Sequence, residues 1–218
     1  MTPFILVLSS PSGGGKTTIA RQLVTNRRDV GYSISATTRA PRPGEREGEH
    51  YYFLPRDEFM RRVSAGAFLE WAEYGGNLYG TLRGEIERIH AAGRHAVLDI
   101  DLQGARQLRG NGAGAVEVFV LPPSGASLAE RLVRRNTETA EALRRRLDRA
   151  ADEILAAGEY DYVIVNDDLE HAVQQVESII EAESRRVHRL AHLPETLQEL
   201  RQAVETEART HPSVNAGS

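Results

Sequence analysis

Among its 27 Lys and Arg residues the chain holds a single lysine, Lys16. It sits in a glycine-rich stretch, Ser10-Pro11-Ser12-Gly13-Gly14-Gly15-Lys16-Thr17-Thr18. A compact ammonium that reaches between phosphate oxygens is not interchangeable with a planar guanidinium. In a chain that otherwise uses arginine, the lone lysine therefore marks a place where an ammonium is needed. Residues 10–17 nearly fit the pattern G-x-x-x-x-G-K-[ST], with Ser10 at the leading glycine. Glycines leave backbone N–H groups free to converge on phosphate oxygens, and a following helix adds its positive end. Lys16 would then bridge β- and γ-phosphates, while the Thr17 hydroxyl would bind Mg²⁺.

Two further constellations could do chemistry. Asp99 and Asp101 flank Ile100 at the end of an apolar run. Period two puts both carboxylates on one face, at the strand edge where ligands of open α/β sheets bind. Asp99 could hold magnesium through water, leaving Asp101 to accept hydrogen bonds from a substrate; as bland alternatives, both are turn-capping aspartates. Ser35, Arg39, Arg42, Tyr51 and Tyr79 supply two cations and three hydroxyls, a set suited to a phosphomonoester. Glu70 and Thr81 lie in the same stretch, and a carboxylate there could accept two N–H bonds from a base edge such as that of guanine. Surface arginines are usually solvated, so this anion site leans on the phosphate loop for its weight. His188 and His192 are four apart, but Arg189 stands where a helical zinc site would need glutamate, which leaves a solvated helix face.

These residues need elements to hold them. Phe4–Leu8 reads as a buried parallel strand that runs into the glycine-rich loop, and Ile19, Ala20, Leu23 and Val24 follow at helical spacing. Further buried strands fit residues 96–100, 115–121 and 162–165. Helical patterns lie at about 84–92, 103–109, 128–135, 140–157 and 169–190. Strands alternating with helices predict a doubly wound parallel sheet. Residues 33–81 break the rhythm with a Pro/Gly/Arg stretch and short aromatic strands at 51–53 and 68–71, which reads as a small, mostly β insertion. The last residues, from His211, read as a disordered tail.

Composition sets the outer limits. With 31 Asp and Glu the net charge is −4, which excludes nucleic-acid binding by bulk positive charge. Without cysteine there are no disulfides, thiolate metal sites or cysteine nucleophiles. No apolar run is long enough to span a bilayer and no leader pattern is evident, so a cytoplasmic protein without membrane partners is expected. The Leu197/Leu200/Val204 spacing suits packing or a second copy of the chain, leaving a homo-oligomer open.

Five stretches resemble guanylate kinase in order and spacing: residues 10–17, 37–45 (Thr-Thr-Arg-Ala-Pro-Arg-Pro-Gly-Glu), 48–51 (Gly-Glu-His-Tyr), 78–81 (Leu-Tyr-Gly-Thr) and 98–104 (Leu-Asp-Ile-Asp-Leu-Gln-Gly). The resemblance covers about residues 4–190. It implies a P-loop NTPase-type parallel-sheet core flanked by helices, with a small α+β GMP-binding insertion and a helical lid. In this chain the core would comprise residues 1–32, 82–125 and 159–190, the GMP-binding lobe 33–81 and the lid 126–158. Residues 191–218 would be a helical extension with the disordered tail.

The activity implied is transfer of the ATP γ-phosphate to GMP, giving ADP and GDP, with Mg²⁺, in purine nucleotide metabolism; dGMP would serve if nothing touches the ribose 2′-hydroxyl. By resemblance Ser35, Arg39, Arg42, Tyr51 and Tyr79 contact the GMP phosphate, and Glu70, Thr81 and Asp101 read guanine. Arg135 and Arg146 are the lid arginines, and Asn166 belongs to the adenine-side loop. With Lys16 and Arg39, the two lid arginines form the catalytic set. Ser10 and Asn136 both stand at positions the family usually gives to glycine. A scaffold module of the same fold would typically have lost the phosphate loop, which this chain keeps.

Overall fold

The computed structural model describes residues 2–134 and 140–210. Its elements run β1 (Ile5–Ser9), α1 (Lys16–Asn26), β2 (Val30–Tyr32), β3 (Ala36–Thr37), β4 (Tyr52–Phe53), α2 (Arg56–Ser64), β5 (Phe68–Tyr74) and β6 (Asn77–Leu82). They continue with α3 (Arg83–Ala91), β7 (His95–Asp99), α4 (Leu102–Gly110), β8 (Val116–Leu121), α5 (Gly125–Arg134) and α6 (Ala140–Leu155). The last are β9 (Tyr162–Val165), α7 (Leu169–Ser184) and α8 (Leu193–Thr210).

Strand β1 shows why the core layers as it does. Successive side chains of a strand point to opposite faces, and β1 is buried at every position, apolar from Ile5 to Leu8, because both of its faces are covered. Leu6 and Leu8 pack with Ile19, Ala20 and Leu23 of α1 and with Val173, Val176 and Ile180 of α7. Ile5 and Val7 pack on the other side, with Ile86 and Ile89 of α3 and Ala105 and Leu108 of α4. The sheet runs β2-β7-β1-β8-β9, and all four pairings are parallel. The helices that follow β1 and β7 leave on opposite faces. The crevice at the carboxyl ends of these two neighbours is therefore a topological switch point, the usual ligand site of such sheets. Lys16 and Asp99 sit there.

A second sheet, ordered β4-β3-β6-β5, holds the insertion. Its own small core packs Ala36, Phe68 and Leu78 around Phe59 of α2, with the Phe59 and Phe68 rings stacked at 4.4 Å. The reading of this stretch as mostly β overlooks α2, whose nine residues carry one fully buried anchor, Phe59, on a polar background. The apolar run expected to continue as one helix to Leu190 stops at Ser184, and a single turn of 3₁₀ helix follows at Val187–Arg189. Leu128 and Leu132 of α5 meet Ala150 of α6 in a fourth cluster. Helix α8 has no buried residue, and Leu197, Leu200 and Val204 are exposed on it. Among the described residues no helix is long and apolar enough to cross a membrane.

Candidate active site

The glycine-rich loop links the end of β1 to the start of α1, as expected. Gly15 caps α1 with φ of 99°, a left-handed value that strains any side chain, and a Cβ there would run into the Asn166 amide. That amide is buried and donates to the Gly14 carbonyl at 2.8 Å. Arg131 of α5 donates to the carbonyls of Gly14 at 3.3 Å and Asn166 at 2.9 Å. Loop carbonyls are thus held from behind, while the first-turn amides of α1 are orphan donors by helix construction. Ser10 fits at its unusual position because Gly14 has no side chain: a Cβ on Gly14 would lie 2.6 Å from that of Ser10. The Ser10 hydroxyl donates to the Pro11 carbonyl at 3.0 Å.

Lys16 forms an ion pair with Asp99 across the switch point. Burial alone would pull the Lys16 ammonium down, but the charge and hydrogen bond of Asp99 outweigh it and the pKa is raised. Asp99 ends β7, whereas Asp101 lies beyond the strand and caps α4 by accepting the Gly104 N–H at 2.9 Å. The capping role therefore holds for Asp101 alone, and both carboxylates still line the cleft.

Across the cleft, Thr81 of β6 donates its hydroxyl to Glu70 of β5 at 2.6 Å. Burial pushes the Glu70 carboxyl up to about 7; the negative charge of Asp101 adds to this and the Thr81 hydrogen bond opposes it. Helix α4 reaches Glu70 only because residue 104 is glycine, where a Cβ would lie 2.5 Å from Glu70 Oε2. One turn on, the Gln107 side-chain amide acts as a strand partner for β5: its oxygen accepts the Trp71 N–H at 3.2 Å and its nitrogen donates to the Trp71 carbonyl at 2.7 Å.

Arg39 Nη2 donates to both oxygens of Glu45 at 2.8 and 2.9 Å, and the guanidinium carbon lies 5.3 Å from the Tyr51 ring centre. The Arg42 N–H donates to the same carboxylate at 2.7 Å, so Glu45 organises both arginine positions. Tyr51 meets Tyr79 edge-on at 6.2 Å. Burial raises the Tyr51 phenol, with Asp99 adding to the rise and Lys16 opposing it.

A single cleft of about 310 Å³ collects most of the expected residues. One wall holds Ser10, Pro11, Ser12, Gly13, Gly15, Lys16 and Thr17 of the glycine-rich loop, and the far wall Ser35, Arg39, Arg42, Tyr51, Glu70 and Tyr79, with Asp99 and Asp101 between them. Gly14, Thr18, Thr81 and Asn166 do not line the cleft, and Arg146 comes within 3.3 Å of the Ser12 hydroxyl. Arg135, with Asn136, lies outside the described residues.

Sequence reading missed Glu45, Gln107, Arg131 and Glu153. Glu45 ends the Arg-Ala-Pro-Arg-Pro-Gly-Glu stretch and could have been found as the carboxylate beside two arginines. The other three lie on helices, where one polar residue resembles the next until its partner is known.

Fold and cleft together define a class, the nucleoside monophosphate kinases: phosphotransferases that set a donor loop opposite a separate acceptor lobe. Comparison with known proteins narrows it. The family model for guanylate kinase matches residues 2–183. A guanylate kinase of Symbiobacterium thermophilum is 49% identical over 89% of this chain and 93% of its own, and one of Geobacter sulfurreducens is 46% identical over 85% and 92%. The crystal structure of guanylate kinase from Anaplasma phagocytophilum superposes with a TM-score of 0.73 at 38% identity, covering 91% of this chain and 95% of that one. The chain belongs to the guanylate kinase family.

Proposed function

We propose that transfer of the γ-phosphate from ATP to GMP runs in this chain on two walls of one cleft. Residues 10–18 hold the donor phosphates; residues of the 33–81 lobe hold the acceptor. Core (1–32, 82–125, 159–190), lobe, lid (126–158) and extension (191–218) follow this division of labour. One observation carries the reading: a single cavity brings Lys16 together with the Arg39 guanidinium and the Glu70 carboxylate.

Arg39, Arg42, Tyr51, Tyr79 and Ser35 present the GMP phosphate. Its oxygen is already anionic and attacks the γ-phosphorus without a strong base, as the bond to the β–γ bridging oxygen breaks and ADP leaves. Bringing two polyanions together is the obstacle, so positioning and fixed charge must supply most of the barrier reduction. Lys16 and the lid arginines Arg135 and Arg146 provide that charge. Glu70, Thr81 and Asp101 read the base. Asn166 supports the loop through Gly14 and sits on the adenine side.

Mg²⁺ fits the residues present. The Thr17 hydroxyl and the Asp99 carboxylate are hard oxygen donors on the same cleft. Among the described residues no trio of acidic or histidine side chains could hold a cation unaided, which suits an ion shared with nucleotide phosphates. Thr17 would bind it directly and Asp99 through water, and it would neutralise charge on the β- and γ-oxygens. GDP and ADP as products fit purine nucleotide metabolism; the proposed setting is the cytoplasm, with dGMP as an alternative acceptor. The exposed α8 stripe supports a homo-oligomer.

A coupled assay of ADP release with GMP, AMP, dTMP or ribose bisphosphate as acceptor tests this reading. GMP-dependent release that stops with excess EDTA is the expected result. Release driven by another acceptor, or GMP binding without turnover, would overturn it.

A further inference from the structure

Helix α6 lays one stripe of charged side chains across the cleft. Arg146, Arg149 and Glu153 are spaced i, i+3, i+7, which puts them on one helix face. Arg146 Nη2 lies 3.3 Å from the Ser12 hydroxyl. The Arg149 guanidinium lies 5.4 Å from the ring centre of Tyr74, the last residue of β5. Glu153 Oε2 accepts the Ser12 backbone N–H at 3.0 Å. One residue of the glycine-rich loop is therefore held at two atoms by one helix, which also touches the opposite lobe. Between these contacts Ala150 is fully buried in the cluster with Leu128 and Leu132, so apolar packing seats the same stretch of helix.

Glu153 is the member of the stripe that phosphoryl transfer does not call for. The acceptor oxygen needs no base, and a carboxylate on the wall of a cavity for two polyanions repels both substrates. Its hydrogen bond to a main-chain N–H gives it a different use. A charge-assisted bond of this kind is stronger and more directional than a neutral one, and a backbone donor fixes the loop itself rather than a mobile side chain.

We propose that Glu153 is a positioning residue: its carboxylate latches α6 to the glycine-rich loop through the Ser12 N–H and so sets Arg146 at the donor phosphates. The inference rests on the reading that residues 10–18 hold those phosphates. Because the latch acts on the helix rather than on the acceptor, its loss acts on turnover and leaves GMP binding in place.

Steady-state kinetics of the full chain test it with Glu153→Ala, Glu153→Gln, Arg146→Ala and the Ala/Ala double variant. Glu153→Ala is expected to lower kcat about tenfold or more while KM for GMP stays within about twofold. Glu153→Gln, whose amide oxygen still accepts the Ser12 N–H, should recover most of the loss, and the double variant should be little slower than Arg146→Ala alone. Wild-type kcat in Glu153→Ala, a glutamine variant as slow as alanine, or fully additive losses would each overturn the latch. Thermal melting checks folding; should Glu153→Ala fail to fold, Glu153→Asp, one methylene too short, takes its place with the same expected loss and the same overturning result. Lys16→Met in the same assay separates the two levels: normal turnover there removes the donor-loop reading, whereas an inactive Lys16→Met beside a fully active Glu153→Ala removes only the latch.

Discussion

Glu70 shows how burial can make a binding group sensitive to pH. Its carboxyl, raised to about 7, is largely neutral in mildly acidic solution. A neutral carboxyl accepts N–H bonds poorly, while guanine N1–H and N2–H₂ favour the ionised form. GMP binding should therefore pull the pKa down and release a proton. KM for GMP is expected to rise roughly tenfold as pH falls from about 8 to about 6, the change in ionised fraction for a group titrating near 7. The GMP phosphate, with a second pKa near ~6, also contributes. The comparison with Glu70→Gln isolates the carboxyl, because the glutamine variant keeps only the phosphate's share. Equal slopes in the two proteins would remove Glu70 from base recognition. At Lys16 the expectation is simpler: Lys16→Met should still fold, melting somewhat lower because Asp99 loses its ion-pair partner, and cost turnover on the order of 100-fold or more, as loss of one preorganised charge-stabilising group does.

At the scale of elements, each lobe has one anchor whose removal has a foreseeable cost. Phe59 is the buried anchor that ties α2 to the second sheet, stacking on Phe68 and meeting Trp71 edge-on, with Val63 half-buried beside it. Phe59→Ala should destabilise the protein by about 3–5 kcal/mol, read by urea denaturation. In the core, His95 at the start of β7 accepts the Phe4 N–H on Nδ1 at 3.2 Å and lies 3.4 Å from the Ser184 hydroxyl through Nε2. Burial lowers its pKa, Arg27, Arg189 and His90 add to the fall, and Asp29 opposes it. A second ring proton would face the Phe4 N–H. Because the folded state resists that proton, stability is fully present above the unfolded value of about 6.5 and is lost as pH falls below it. The urea midpoint should drop between about pH 7 and pH 5 in the wild type, and much less in His95→Asn, whose side-chain oxygen can still accept at the Nδ1 position.

For the whole molecule, the two sheets meet at helix α4. Asp101 caps its start, Gly104 lets it approach Glu70 and Gln107 grips β5, while Glu85 of α3 adds a second tie by accepting from the Tyr52 hydroxyl. Helix α8 stands apart from this frame, with every residue exposed except the half-buried Leu193. Removing residues 191–218 should therefore leave kcat within about twofold and change the melting temperature little, since no buried contact is lost. A collapse of the truncated chain would show that the extension supports the fold; light scattering of both forms reports whether the Leu197/Leu200/Val204 stripe joins two copies.

Periodicity and motif chemistry carried the local half of this description. The continuous apolar run of β1, the loop that follows it and the lone lysine depend on neighbours a few residues apart, and these are written into the chain directly. The pairing of distant side chains depends on topology. Glu45 beside Arg39 is close enough in sequence to be inferred, but Arg131 behind the Gly14 carbonyl, Gln107 along β5 and Glu153 on the Ser12 N–H span 36 to 141 positions. No local pattern encodes such contacts. They follow only once strand order and helix packing have fixed which surfaces face one another, because a hydrogen bond is selective over a few tenths of an ångström and sequence spacing is not.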